Sequence, residues 1–141
     1  MTAEYTTEKE GKRSMLLDKM RYLEVSRIVD LILEYRPQMA YYKYPLDAMV
    51  RSLIWARLKG ISCFRLSVEL QNDVNLAFTL NCRSFIHRVD EEDGEINLLI
   101  NTPTYTTFER FERMLSPNSL RMIQKSAIAV QDEISKEVVE L

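Results

Sequence analysis

Glycine and proline are scarce in this chain: three and four residues among 141. An all-β protein needs many tight turns, and turns draw on those two residues, so the shortage points to helices. Cysteine is limited to Cys63 and Cys82, and histidine to His87. So few ligands exclude a disulfide scaffold and leave no paired Cys-x-x-Cys for a zinc finger. There is no G-x-G-x-x-G, no P-loop and no G-x-S-x-G, which removes the common signatures of dinucleotide, nucleotide and α/β-hydrolase sites. No apolar run approaches the roughly 18 residues of a membrane-spanning helix. Residues 1 to 14 are polar and mixed in charge, unlike a secretory signal. A soluble, reducing, cytoplasmic setting is expected. Excess positive charge is also missing, since the formal net charge is −2. Any attraction for nucleic acid has to be local.

What remains is an ordinary globular balance, 46% hydrophobic and 28% charged, in a length suited to one domain. "MTAEYTTEKEGKRS" reads as a disordered arm over 1–14, with a single helical domain over 15–141. Leu16, Met20, Leu23, Ile28, Leu31, Ile32 and Tyr35 predict one amphipathic helix ending before Pro37. Pro45 suits the first turn of a second helix, whose apolar face carries Leu46, Met49, Val50, Leu53, Ile54 and Leu58. Gly60 sits where a left-handed helix terminus belongs, and Ser62 where the next helix needs an N-cap. That third helix, 63–70, and a short fourth one capped by Asn72 or Asp73 complete a helix-turn-helix-like hairpin. Phe85–Val89 and Ile96–Ile100 read as a small β-hairpin around the turn "DEEDG". "TYTTFERFERML" is a fifth helix, with Thr104 or Thr106 as cap; Thr106 with Glu109 fits a capping box. Ser116-Pro117 opens a sixth. Its stripe of Leu120, Ile123, Ala127, Val130, Ile134, Val138 and Leu141 serves either as a coiled-coil seam or as one more face of the core. The fold class is therefore mainly α, a compact multi-helix domain with a small β-hairpin insertion at about 85–100. The segment 117–141 doubles as a candidate linker or dimerisation helix.

Cys63, Cys82 and His87 are too few and too irregularly spaced for zinc; small buried cysteines explain them better. The acidic run Asp90, Glu91, Glu92, Asp93 lacks the alternating ligands of a calcium loop and reads as a solvated hairpin tip. No metal, cofactor or catalytic residue is expected. Charge is segregated, however. Residues 43 to 89 hold seven bases, Lys43, Arg51, Arg57, Lys59, Arg65, Arg83 and Arg88, against three acids, while residues 90 to 100 hold five acids and no base. A basic middle can neutralise phosphates. Lys59 and Arg65 are its phosphate candidates. In the fifth helix Phe108, Phe111 and Leu115 face inward, which places Arg110 and Arg113 on another face. Thr104, Thr106 and Thr107 stand at a helix start, where free N–H groups and hydroxyls suit a DNA backbone. Arg110 and Arg113 can reach a phosphate or a guanine edge. A solvated helix with alternating Glu109, Arg110, Glu112 and Arg113 is the plain alternative.

Four segments in order add a resemblance: "YPLDAMVRSLIWARLKGIS", "CFRLSVELQNDVNLAFTLN", "TPTYTTFERFERML" and the long final helix. This order resembles the N-terminal domain of bacterial and archaeal insertion-sequence transposases of the DDE class, over about residues 22–125. The Thr-Thr with Phe-Glu-Arg-Phe is its most specific part. The resemblance implies an all-helical, non-catalytic domain that binds double-stranded DNA at the terminal inverted repeats, hence nucleoid association. It also implies that catalysis lies in a downstream RNase H-like domain. A chain ending at Leu141 is then expected to be an isolated domain or a truncated reading frame. About twenty residues with a charged hairpin replace the family's shorter link before the fifth helix, and the acidic tip is expected to point away from DNA. The rival reading is a helical protein-interaction module, homodimeric through the 120–141 stripe, without direct DNA contact.

Overall fold

In the computed structural model the described residues are 2–80, 86–90, 96–100 and 102–140. The first helix, α1, runs Thr2–Arg21. It takes in the segment expected as a disordered arm. Ala3, Glu4, Glu8, Lys9, Glu10, Lys12 and Arg13 are strong helix formers. They extend a helix whose C-terminal half is docked through the buried Leu16 and Met20, and extension costs far less than nucleation. Arg13 anchors the middle of the helix in an ion pair with Asp73.

The single helix expected from Met15 to Tyr35 is instead two. The chain leaves α1 at Tyr22 and re-enters a helix, α2, at Ser26–Tyr35. Val25 sits outside helical geometry at φ −120° and ψ 3°. The Glu24 carboxylate accepts a hydrogen bond from the Ser26 backbone N–H at 2.8 Å, and bonding from Ser26 holds its pKa below the usual carboxylate value. Both halves bury one apolar face, so the pattern of spacing survives the break and conceals it.

α2 stops before Pro37 as the sequence predicts, and Pro37–Tyr41 forms a 3-10 turn. The next helix, α3, spans Leu46–Lys59, with Pro45 one position before it. Gly60 takes φ 64° and ψ 36°, the left-handed terminus. Ser62 then caps α4, Cys63–Asn72, by accepting from the Arg65 N–H at 3.2 Å. Asp73 caps the short α5, Val74–Thr79, by accepting from the Leu76 N–H at 3.1 Å.

Two antiparallel strands follow, β1 Ile86–Asp90 and β2 Ile96–Ile100, with Ile86 opposite Ile100 and Asp90 opposite Ile96. The expected acidic turn, 91–94, lies outside the described residues. α6 covers Tyr105–Met114, and its cap is Thr104, not Thr106: the Thr104 hydroxyl accepts from the Thr107 N–H at 3.4 Å. α7 covers Pro117–Glu140, with Ser116 accepting from the Ser119 N–H at 3.1 Å.

The fold is mainly helical, and α3 is its axis. Ala48, Met49, Val50, Ser52, Leu53, Ile54, Trp55 and Ala56 are all buried, far more than one face. α2, α4 and α7 pack around it, α1 lies against α5 and α7, and α6 packs on α4. Ser52 tolerates burial because its hydroxyl donates to the Ala48 carbonyl at 2.7 Å. The α7 stripe resolves as a core face: Ile123, Ala127, Val130 and Ile134 are each at most 3% exposed and join the central cluster. Leu120 of the same stripe is partly buried against that cluster, and the side chains of Val138 and Leu141 lie outside the described residues. Among the described residues no helix is long and apolar enough to cross a membrane.

Candidate nucleic-acid interface

Trp55 is fully buried on α3, yet cations reach its ring. The Arg13 guanidinium stands 5.8 Å and the Lys59 ammonium 5.6 Å from the ring centroid, within cation–π range. The indole N–H donates to Glu69 at 3.3 Å, and Arg65 lies 3.8 Å from the other Glu69 oxygen. Asp73, the α5 cap, holds Arg13. Two of the sequence candidates, Lys59 and Arg65, thus meet around one tryptophan and its carboxylate partner. Arg13 joins them from the segment read as an arm, and Lys12 lies beside Lys59 in a shared groove. Of these four cations from three helices, Arg13 and Arg65 pair with the carboxylates of Asp73 and Glu69. Arg65 keeps 64% of its side chain exposed, so its pairing with Glu69 leaves it accessible.

The second group lies on α6. At about 100° per residue, the buried Phe108 and Phe111 define the inner side, and Thr106, Arg110 and Arg113 fall on the opposite side. Thr106 and Arg110 are exposed. Arg113 is 77% exposed and reaches Glu109 at 4.0 Å, a contact that contributes at most about 0.5 kcal/mol. The Thr104 hydroxyl also bonds the hydroxyls of Thr106 at 3.0 Å and Thr107 at 3.1 Å. The three threonines therefore form one hydroxyl cluster over the α6 N-terminus.

α6 is braced from both flanks. On one, Tyr42 rests on Phe111 with ring centroids 5.5 Å apart, and Arg36 donates from Nε to the Met114 carbonyl at 2.8 Å. On the other, Tyr105 meets Phe64 of α4 edge-on at 5.6 Å, and Arg57 lies 3.6 Å from Glu112. Phe64 and Tyr105 remain partly exposed, at 61% and 43%.

The α4–α6 seam is acidic. Cys63 approaches Glu112 at 3.9 Å, and burial, followed by the charges of Glu112 and Glu109, pushes its thiol up to about 11. Lys59 and Arg65 belong to the Trp55 group, and Arg110 and Arg113 to the outer side of α6. The structure brings each pair into its own neighbourhood and no described contact joins them. Among the described residues no three His, Cys, Asp or Glu side chains converge on a metal position; Cys82 lies outside them. Trp55, Lys12 and Arg13 were missed by sequence reasoning. The visible signal was a lone tryptophan off the apolar stripe of its helix; the arm's contribution left none. Comparison with protein-family models, with curated proteins and with solved structures returns no match.

Proposed function

We propose that this domain binds double-stranded DNA without itself catalysing a reaction on it, in the manner of the transposase N-terminal domains its motif order resembles. The terminal inverted repeats of an insertion sequence are the proposed target, and nucleoid association follows from that role. The observation that carries the reading is α6. It offers a solvent-facing pair, Arg110 and Arg113, beside a threonine-lined N-terminus. Its opposite side is locked by Phe108 and Phe111, and its flanks by Tyr42, Arg36 and Phe64. A helix held this firmly can set side-chain positions against a groove without being ordered on binding. In this reading Arg110 and Arg113 meet bases or phosphates, and Thr104, Thr106 and Thr107 meet the backbone. Lys59 and Arg65 supply phosphate contacts from the Trp55 side.

Gel-shift titration against a terminal-repeat duplex and a scrambled duplex, each at two salt concentrations, tests this. Arg110→Ala/Arg113→Ala is expected to erase most of the preference between duplexes, about 1–3 kcal/mol per lost base contact. Arg65→Ala is expected to weaken both duplexes alike and flatten the salt dependence by about one charge. Unchanged affinity and preference in the double variant would show that α6 is not the reader.

A further inference from the structure

Where the C-terminal end of α3 meets α1 and α7, the helices leave a groove of about 210 Å³ lined by Lys12, Leu16, Leu58, Lys59, Gln131, Ile134 and Ser135. Helical spacing builds each wall. Lys12 and Leu16 are four apart on α1, while Gln131, Ile134 and Ser135 share one side of α7. Leu16 and Ile134 are buried and form an apolar floor. Two lysines, a serine and a glutamine therefore line one small space. The nearby α7 carboxylates Glu133 and Glu137 are engaged by Lys19, at 3.4 and 2.8 Å. Among the described residues neither Lys12 nor Lys59 has a carboxylate partner; Lys59 rests on the Trp55 ring.

We infer that this groove is a binding site for a phosphate group. Two lysines brought to one groove from different helices repel, and an anion bound in the groove offsets that repulsion. Two ammoniums, a hydroxyl and an amide N–H₂ give more donors than a carboxylate's two oxygens use, and they suit a tetrahedral oxyanion. The volume is below that of common ligand pockets and fits one such group with a short attached moiety. A small phosphorylated molecule and a phosphate of the nucleic-acid backbone share this chemistry. The site stands apart from α6 and holds whether or not α6 reads DNA.

Trp55 is the only tryptophan, and Lys59 touches its ring, so its emission reports on the groove. The full chain is titrated with inorganic phosphate at ionic strength held constant with sodium chloride. A saturable change in Trp55 emission is expected, weakened about tenfold or more by Lys12→Ala and unaltered by Arg110→Ala/Arg113→Ala. Ser135→Ala, also at an exposed helix position, serves as a second variant, and circular dichroism verifies folding of each. A duplex oligonucleotide is then added to the phosphate-loaded protein. Displacement of phosphate assigns the groove to the nucleic-acid backbone; retention assigns it to a small phosphorylated molecule. A response that never saturates, or one that is equal in the native chain and both folded variants, overturns the site.

Discussion

The Trp55 surround and the outer face of α6 are both rich in cations, but they are assembled differently. On α6 the charges come from one helical turn and the next: Glu109, Arg110, Glu112 and Arg113. Their arrangement follows from helix periodicity once Phe108 and Phe111 are known to face inward. Around Trp55, Lys12 and Arg13 come from α1, Lys59 from α3 and Arg65 from α4. Asp73 holds Arg13, and Glu69 links Arg65 to the Trp55 indole, while Glu112 of α6 pairs with Arg57 of α3. A local pattern yields a face, while a junction of helices yields a cluster whose members lie up to 53 residues apart in sequence, from Lys12 to Arg65.

Breaking the junction is expected to have the largest effect. Trp55→Ala removes a fully buried indole and should cost about 3–5 kcal/mol in denaturant unfolding. Arg110→Ala/Arg113→Ala, on an open face, should stay within about 0.5 kcal/mol. Similar costs for the two would mean that the two regions do not differ as described.

The α4–α6 seam has its own signature. With its thiol pushed from 9 to about 11, Cys63 should hold about a hundredfold less thiolate at pH 8 than an unperturbed thiol. Its alkylation should be correspondingly slow in a Cys82→Ser background and recover on unfolding. Rapid alkylation of the folded chain would remove the acidic, partly buried seam from the picture.

Caps sharpen the contrast at smaller scale. Thr104→Ala loses a cap on α6 and should cost about 1 kcal/mol. Asp73→Ala loses the α5 cap and also the Arg13 anchor of α1, so it should cost more than Thr104→Ala and increase amide exchange in α1. Equal costs, with α1 exchange unchanged, would show that the Arg13 pair contributes little, as exposed pairs often do. The smallest effect belongs to Glu109→Gln, which removes only the 4.0 Å partner of Arg113. Thermal unfolding should shift by an amount equivalent to no more than about 0.5 kcal/mol.

Much of this architecture was legible in the sequence, because it depends on local chemistry. Gly60 and Ser62 ended one helix and began the next as expected, and Asp73 and Ser116 capped theirs. The two strands emerged within a residue of their expected bounds. The break at Tyr22–Val25 was hidden because two short amphipathic helices can carry the same apolar spacing as one long one. The N-terminal helix was hidden because its sequence has helix propensity but little apolar mass, and composition weighs the second. The choice between Thr104 and Thr106 as cap turned on one hydroxyl, which both residues possess.

By itself, then, the sequence determined the helices that follow α2, the Ser62 and Ser116 caps, and the face on which Arg110 and Arg113 lie. These are set within a few residues by backbone geometry and periodicity. Only the tertiary structure decided that the α7 stripe closes the core, that α3 is surrounded on nearly every side, and that Lys12, Arg13, Lys59 and Arg65 gather near Trp55. Those outcomes depend on which apolar faces find each other, and periodicity within one helix carries no information about its partner.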